Sequence, residues 1–155
     1  MYLKNLTLSV LMLSAAIVFV SCEDDSPEVI TETIDSSVPT GDLSVQRQGT
    51  FVAQNGTPTE GTAQVGTDQD DEPFLRFSDD FMTAIATGTV TVYFSTSEEF
   101  VTDPANGNPD LKLVGAVQQN GERFFKLDAL PTTQYTHVIL WCASANIPFG
   151  NAQLQ

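Results

Sequence analysis

Outside its first twenty-odd residues, this 155-residue chain holds one cysteine, Cys142, one histidine, His137, and one further methionine, Met82. These are the side chains whose types could support nucleophilic, metal or redox chemistry, and their scarcity excludes much. A blue-copper centre needs two His and one Cys. Thiolate-bound iron–sulfur clusters need four cysteines, and covalent haem attachment needs C-x-x-C-H. Structural zinc sites fail for the same shortage, and no Gly-rich phosphate loop follows a strand. His137 and Cys142 lie five residues apart in "YTHVILWC". On a regular strand an odd separation sends two side chains to opposite faces. His137 is therefore expected to share a face with Tyr135, Ile139 and Trp141, and Cys142 to share the other with Val138 and Leu140. A Cys–His nucleophilic pair is not expected, and neither is a stand-alone enzyme.

The other cysteine, Cys22, ends a leader, "MYLKNLTLSVLMLSAAIVFVSC". Its layout is a basic start, a short apolar run from Leu6 to Val20 and a small residue, Ser21, before the expected cut. That is the pattern of a secretory signal, and the run is shorter than the ~20 residues needed to cross a bilayer. "FVSC" resembles a bacterial lipobox, although Phe19 stands where Leu is usual. The resemblance implies that residues 1–21 are removed and that Cys22 is lipidated. The partner is then a membrane, held through an N-terminal lipid anchor. With Cys22 acylated, the mature chain has one thiol and no internal disulfide framework.

Removing the leader costs one basic residue, Lys4, and leaves 20 acidic against 5 basic residues, a net charge near −15. So acidic a chain is not a nucleic-acid binder and does not dock electrostatically on anionic lipid. Residues 22–48, "CEDDSPEVITETIDSSVPTGDLSVQRQ", are rich in Asp, Glu, Ser, Thr and Pro. Such a segment buries too little apolar surface to offset its ordering entropy and is expected to be a disordered tether. Its opening, "CEDDSPE", resembles the acidic stretch that directs some lipoproteins to the outer face of the outer membrane. The expected location is the outer membrane, lipid-anchored, facing the cell surface or the periplasm.

The elements that must position Cys142 lie in residues 49–155. "GTVTVYFS" alternates strictly, with Val90, Val92 and Phe94 on one face and Thr89, Thr91 and Tyr93 on the other. That period of two marks a strand with one buried face. "TFVAQ", "TAQV", "FLRF", "LKLVGAV", "RFFKL" and "YTHVILWC" read as further strands, separated by turn formers that include Asn55-Gly56, Asn106-Gly107 and Asn120-Gly121. The expected fold is all-β, an antiparallel β-sandwich of about eight short strands. Arg76, inside an apolar strand, is expected to pair with Asp79, Asp80 or another carboxylate. Two acidic runs, Asp68–Glu72 and Asp103–Asp110, match no EF-hand loop and are expected to be solvated turns rather than calcium sites.

Four segments in order, "GTFVAQNGTPTEGTAQV", "FLRFSDDFMTAIATGTVTVYFS", "GERFFKLDAL" and "YTHVILWCASANIPFGNAQL", resemble the DM-thirteen domain, a proposed electron-transfer domain. The most specific part is a hydrophobic strand ending in Trp141-Cys142, a short turn, and a strand with Phe149-Gly150 and Ala152-x-Leu154. The resemblance implies a β-sandwich-like domain in which Cys142 is a redox thiol or the ligand of a prosthetic group such as haem. Two departures stand out. The first hairpin reads "NGTPTEG" where many members carry His, and "GTVT" replaces a Gly-Pro-Asp-Leu run. The absent His leaves only His137 and Met82 as second ligands. Residue chemistry by itself favours a packing role, because cysteine behaves as a small buried hydrophobe. The rival function is a surface binding or adhesion module without chemistry, with loops such as Asp103–Asp110 touching a glycan or protein.

Overall fold

The structure is a computed structural model that describes residues 38–87 and 89–155. The leader, Cys22 and the tether up to residue 37 lie outside the described residues. Eight strands are formed among the described residues: β1 (Ser44–Ala53), β2 (Thr62–Thr67), β3 (Pro73–Phe77), β4 (Val90–Ser95), β5 (Leu111–Val117), β6 (Arg123–Lys126), β7 (His137–Cys142) and β8 (Ile147–Gln153). All neighbours pair antiparallel. No described helix is long and apolar enough to cross a membrane.

Each expected strand is present, but their assembly differs from a sandwich. The strands form one sheet in the order β5-β4-β7-β8-β1-β2-β3-β6. That sheet curls into a nearly closed barrel, whose interior takes Phe51, Val65, Leu75, Phe77, Val92, Phe94, Leu140 and Phe149 from both halves. The two edge strands come together at Gly115 of β5, where an added Cβ would lie 3.0 Å from the Phe125 ring of β6. Closure suits an all-antiparallel sheet because it leaves little unpaired edge. The sandwich expectation failed because alternation specifies which face is buried, not whether that face meets a second sheet or its own continuation.

β1 is the strand that carries the sheet round. Residues Ser44–Thr50 pair with β2, and Phe51–Ala53 pair with β8. A register shift between Val45 and Arg47 bends it, as bulges do. Gly49 permits the close crossing, since a Cβ there would sit 2.1 Å from the Gln153 carbonyl oxygen. The expected tether ended at Gln48, yet Ser44–Gln48 form the first half of this strand. All but Val45 are polar, and both faces of that half are largely open to solvent.

Ordering begins before β1. Asp68, 7% exposed, accepts backbone N–H groups from Asp70 and Glu72 on Oδ1 and from Thr40 on Oδ2, each at 2.9 Å. These bonds hold its carboxyl below the ordinary range, with the Thr40 amide the largest cause and partial burial opposing it. The interior is anchored by aromatic packing. Phe51 meets Phe77 edge-on at 5.0 Å, and Phe81 caps both. Full burial of each such ring is worth about 1.5–3 kcal/mol relative to exposure.

Candidate functional site

Cys142 is the last residue of β7 and is 0% exposed. The apolar triplet Val138, Leu140 and Cys142 points into the barrel, as alternation requires, and all three belong to the core. Cys142 stands opposite Val90 on β4 and Ile147 on β8. The one irregularity nearby is a register shift after Leu140 in the pairing with β8, where Trp141 faces Pro148 rather than the next residue in step. Pairing of β7 with β4 stays regular, so Cys142 keeps its inward face.

A four-residue turn, residues 143–146, closes over the sulfur. The Asn146 N–H donates to the Cys142 carbonyl at 2.8 Å, and Asn146 takes φ 56°. Ser144 Oγ lies 3.3 Å from Cys142 Sγ. The turn therefore presents one hydroxyl to the thiol at the end of the barrel.

The other expected participants are elsewhere. His137 is on the outer face of β7, with Nδ1 2.9 Å from Thr136 Oγ1. Partial burial lowers its pKa below 6.5, and Glu98 opposes that shift. Tyr135 does not join His137 on that face. It precedes β7, packs against the core and lies 6.4 Å from the Phe94 ring. Arg76 points outward from β3 and pairs with Glu122 at 2.7 Å, not with Asp79 or Asp80, while its Nη1 donates to Gln64. It cannot supply a positive charge to the buried sulfur. Met82 is 37% exposed in the loop after β3, its backbone bridged to Glu60. Among the described residues no three His, Cys, Asp or Glu side chains gather as a metal site.

Cys142 has no exposed surface in this packing. The sulfur is enclosed by the core and lines neither of the two outer clefts described next, nor a third beside Arg76 and Phe124.

The outer face holds features that the strand pattern alone did not reveal. Trp141, one residue from Cys142, turns outward and is stacked by Phe100 at 4.0 Å, and Phe100 also meets Tyr93 edge-on at 5.0 Å. The segment after β4 delivers Phe100. Ser95 Oγ accepts the Ser97 N–H and donates to the Glu99 carbonyl, which folds the chain back over β4 and β7. Beside this stack is a cleft of about 360 Å³ lined by Gln54, Glu98, Glu99, Phe100, Trp141 and Pro148. A larger one, about 820 Å³, runs over the outer faces of β8, β1 and β2 and shares Glu98 with the first. Gln48, Gln64 and Gln153 sit at outward positions of its floor. The available signal was a polar residue two positions from each of them on the same strand, Thr50 with Gln48, Thr62 with Gln64 and Asn151 with Gln153.

No curated protein and no solved structure matches the chain. Residues 50–154, which contain every strand from the second half of β1 to β8, match the family model described as Electron transfer DM13. That stretch is well over half of the sequence and includes Cys142 under its turn, and on this ground the chain belongs to the DM13 family.

Proposed function

We propose that the protein is an electron-transfer domain held at the cell envelope by lipid on Cys22, with its redox role centred on Cys142. The observation that carries the reading is the family match across residues 50–154, which takes in Cys142 at the mouth of the barrel beneath a short turn. The leader and the acidic run after Cys22 support export to the outer membrane. The barrel would then stand away from the bilayer on the acidic segment and meet a redox partner there.

In the resting fold the sulfur is shielded. Burial disfavours the thiolate, the nucleophilic form of a cysteine. Thiol chemistry with a partner therefore requires the Ala143–Asn146 turn to lift. The turn is the natural moving part because Ser144 is its contact with the sulfur and because it lies outside the paired strands. Local opening of such segments costs less than global unfolding.

The test uses protein purified from its native membrane. A visible spectrum and a metal assay report any bound group. Titration with a glutathione redox buffer then reads the Cys142 couple by mass. A reversible change at Cys142 at an envelope-like potential is expected, absent in Cys142→Ala. A chain that stays unmodified across the whole series and shows no visible band overturns the redox role. Replacing Cys22 with Ala is expected to move the protein out of the membrane fraction.

A further inference from the structure

The two outer clefts are independent of Cys142 and have a chemistry of their own. The floor of the larger one is built from amides and hydroxyls: Gln48 and Thr50 on β1, Gln64 on β2, and Asn151 and Gln153 on β8. Gln64 is already engaged, its Nε2 donating to Gln48 Oε1 and its Oε1 accepting from Arg76, and Asn151 is buried. The amide groups open to a ligand are the side-chain N–H of Gln48 and the exposed side chain of Gln153, which offers a donor and an acceptor on one planar group. That pairing matches adjacent hydroxyls on a sugar ring. The smaller cleft adds the rim of Trp141 and the side chain of Gln54, whose Oε1 is buried with no hydrogen-bond partner. A buried acceptor left unsatisfied costs free energy, which rotation of the Gln54 side chain onto an incoming O–H would relieve. Glu98 lines both clefts, so they adjoin at that residue.

Competing ligand classes fit less well. Strands β8, β1 and β2 are each paired on both sides, so no open backbone edge is present for an extended peptide to join. An anionic polymer would meet Glu98 and Asp79, while Arg76, the cation of the floor, is held by Glu122. The whole chain carries −14, which repels polyanions further. His137, at the edge of the groove, is shifted toward its neutral form.

We propose that the outer face of β8, β1 and β2, together with the Trp141–Gln54 cleft, is a binding site for a neutral oligosaccharide chain. The ligand lies across the amide floor and places one ring at the indole. Trp141 is the single tryptophan of the sequence, so its emission reports occupancy of that end directly.

The experiment uses the full chain in a zwitterionic, sugar-free detergent. Calorimetric titration is run with a soluble mannan, a xylan and a β-glucan, and with alginate as the anionic counterpart, while tryptophan emission is followed in parallel. Saturable heat with at least one neutral polymer, a shift in Trp141 emission and no binding of alginate are expected. The exposed-face double variant Thr50→Ala/Gln153→Ala should bind at least tenfold more weakly with an unchanged unfolding transition. Cys142→Ala should bind like the parent, which separates this site from the redox reading. Absence of binding to all three neutral polymers, equal binding of alginate, or undiminished binding by the double variant would each overturn the proposal.

Discussion

Phe100 lies flat on the indole of Trp141, ring centroids 4.0 Å apart and planes 14° from parallel. The contact joins an irregular segment to the outer face of β7, and it accounts for a partly buried tryptophan on the solvent side of a barrel. Stacked aromatic pairs contribute about 0.5–1.5 kcal/mol beyond their area burial. Phe100→Ala should lose at least that much stability in denaturant unfolding. Its tryptophan emission should move to longer wavelength, because the indole face becomes wet. Unchanged emission would mean that the segment does not cover Trp141 in solution.

Cys142 supplies a second prediction. A thiol at 0% exposure inside the core should react with a chromogenic disulfide reagent only as fast as the turn opens, and at once after unfolding. Cys142→Ala should cost about 1 kcal/mol or more through the small cavity it leaves. Rapid reaction of the native protein would show that the turn is open at rest.

The start of the domain is a third. A chain beginning at residue 38 retains the Thr40–Asp68 bond and all of β1. One beginning at Gly49 loses the Ser44–Gln48 half of the pairing with β2 and the two backbone bonds between Gln48 and Gln155. The shorter chain should melt at a clearly lower temperature. Equal melting temperatures would return Ser44–Gln48 to the tether.

Asp68 gives a pH-dependent prediction. Its carboxyl titrates below its unfolded value of 3.8 in the fold, so the unfolded chain binds the proton more readily as pH falls. The stability it contributes is therefore complete above 3.8 and is lost as pH drops through the lower folded value. The melting-temperature gap between the parent and Asp68→Asn should be full at pH 6 and close in that acid range. Both carboxylate oxygens already accept backbone amides, so chelator and millimolar calcium should leave the melting temperature unchanged. A calcium-induced rise of many degrees would make the acidic turn a metal site.

Much of this was legible in the residues, and what was not has identifiable causes. Alternation and turn spacing located the first seven strands, while β8 was expected only from the family resemblance. Alternation also put Val138, Leu140 and Cys142 on the inward face, because face assignment depends only on neighbours two apart. Strand β1 was read as starting late because Ser44–Gln48 bury almost nothing. Tyr135 was extrapolated along a strand that begins only at His137. The barrel closure at Gly115 and Phe125, the Phe100 cover over Trp141 and the Arg76–Glu122 pair all join residues far apart in sequence. No local pattern encodes such meetings. Turn chemistry fared better, since Asn55 and Gly56 both take positive φ, 53° and 71°, as an Asn-Gly pair favours.

The pairing of β1 with β8 also bears on how the chain acquires its shape. The first strand of the domain lies against the last, and Gln48 exchanges two backbone hydrogen bonds with Gln155. Most of the sequence must therefore be present before the sheet can join across that seam. Contacts of such long sequence separation slow folding, because loop-closure entropy is lost before the contacts form. Until β8 arrives, β7 and β1 each keep a bare edge, and partial chains are open to strand pairing with one another. Folding of the domain should thus be complete only once β8 is available to pair with β1.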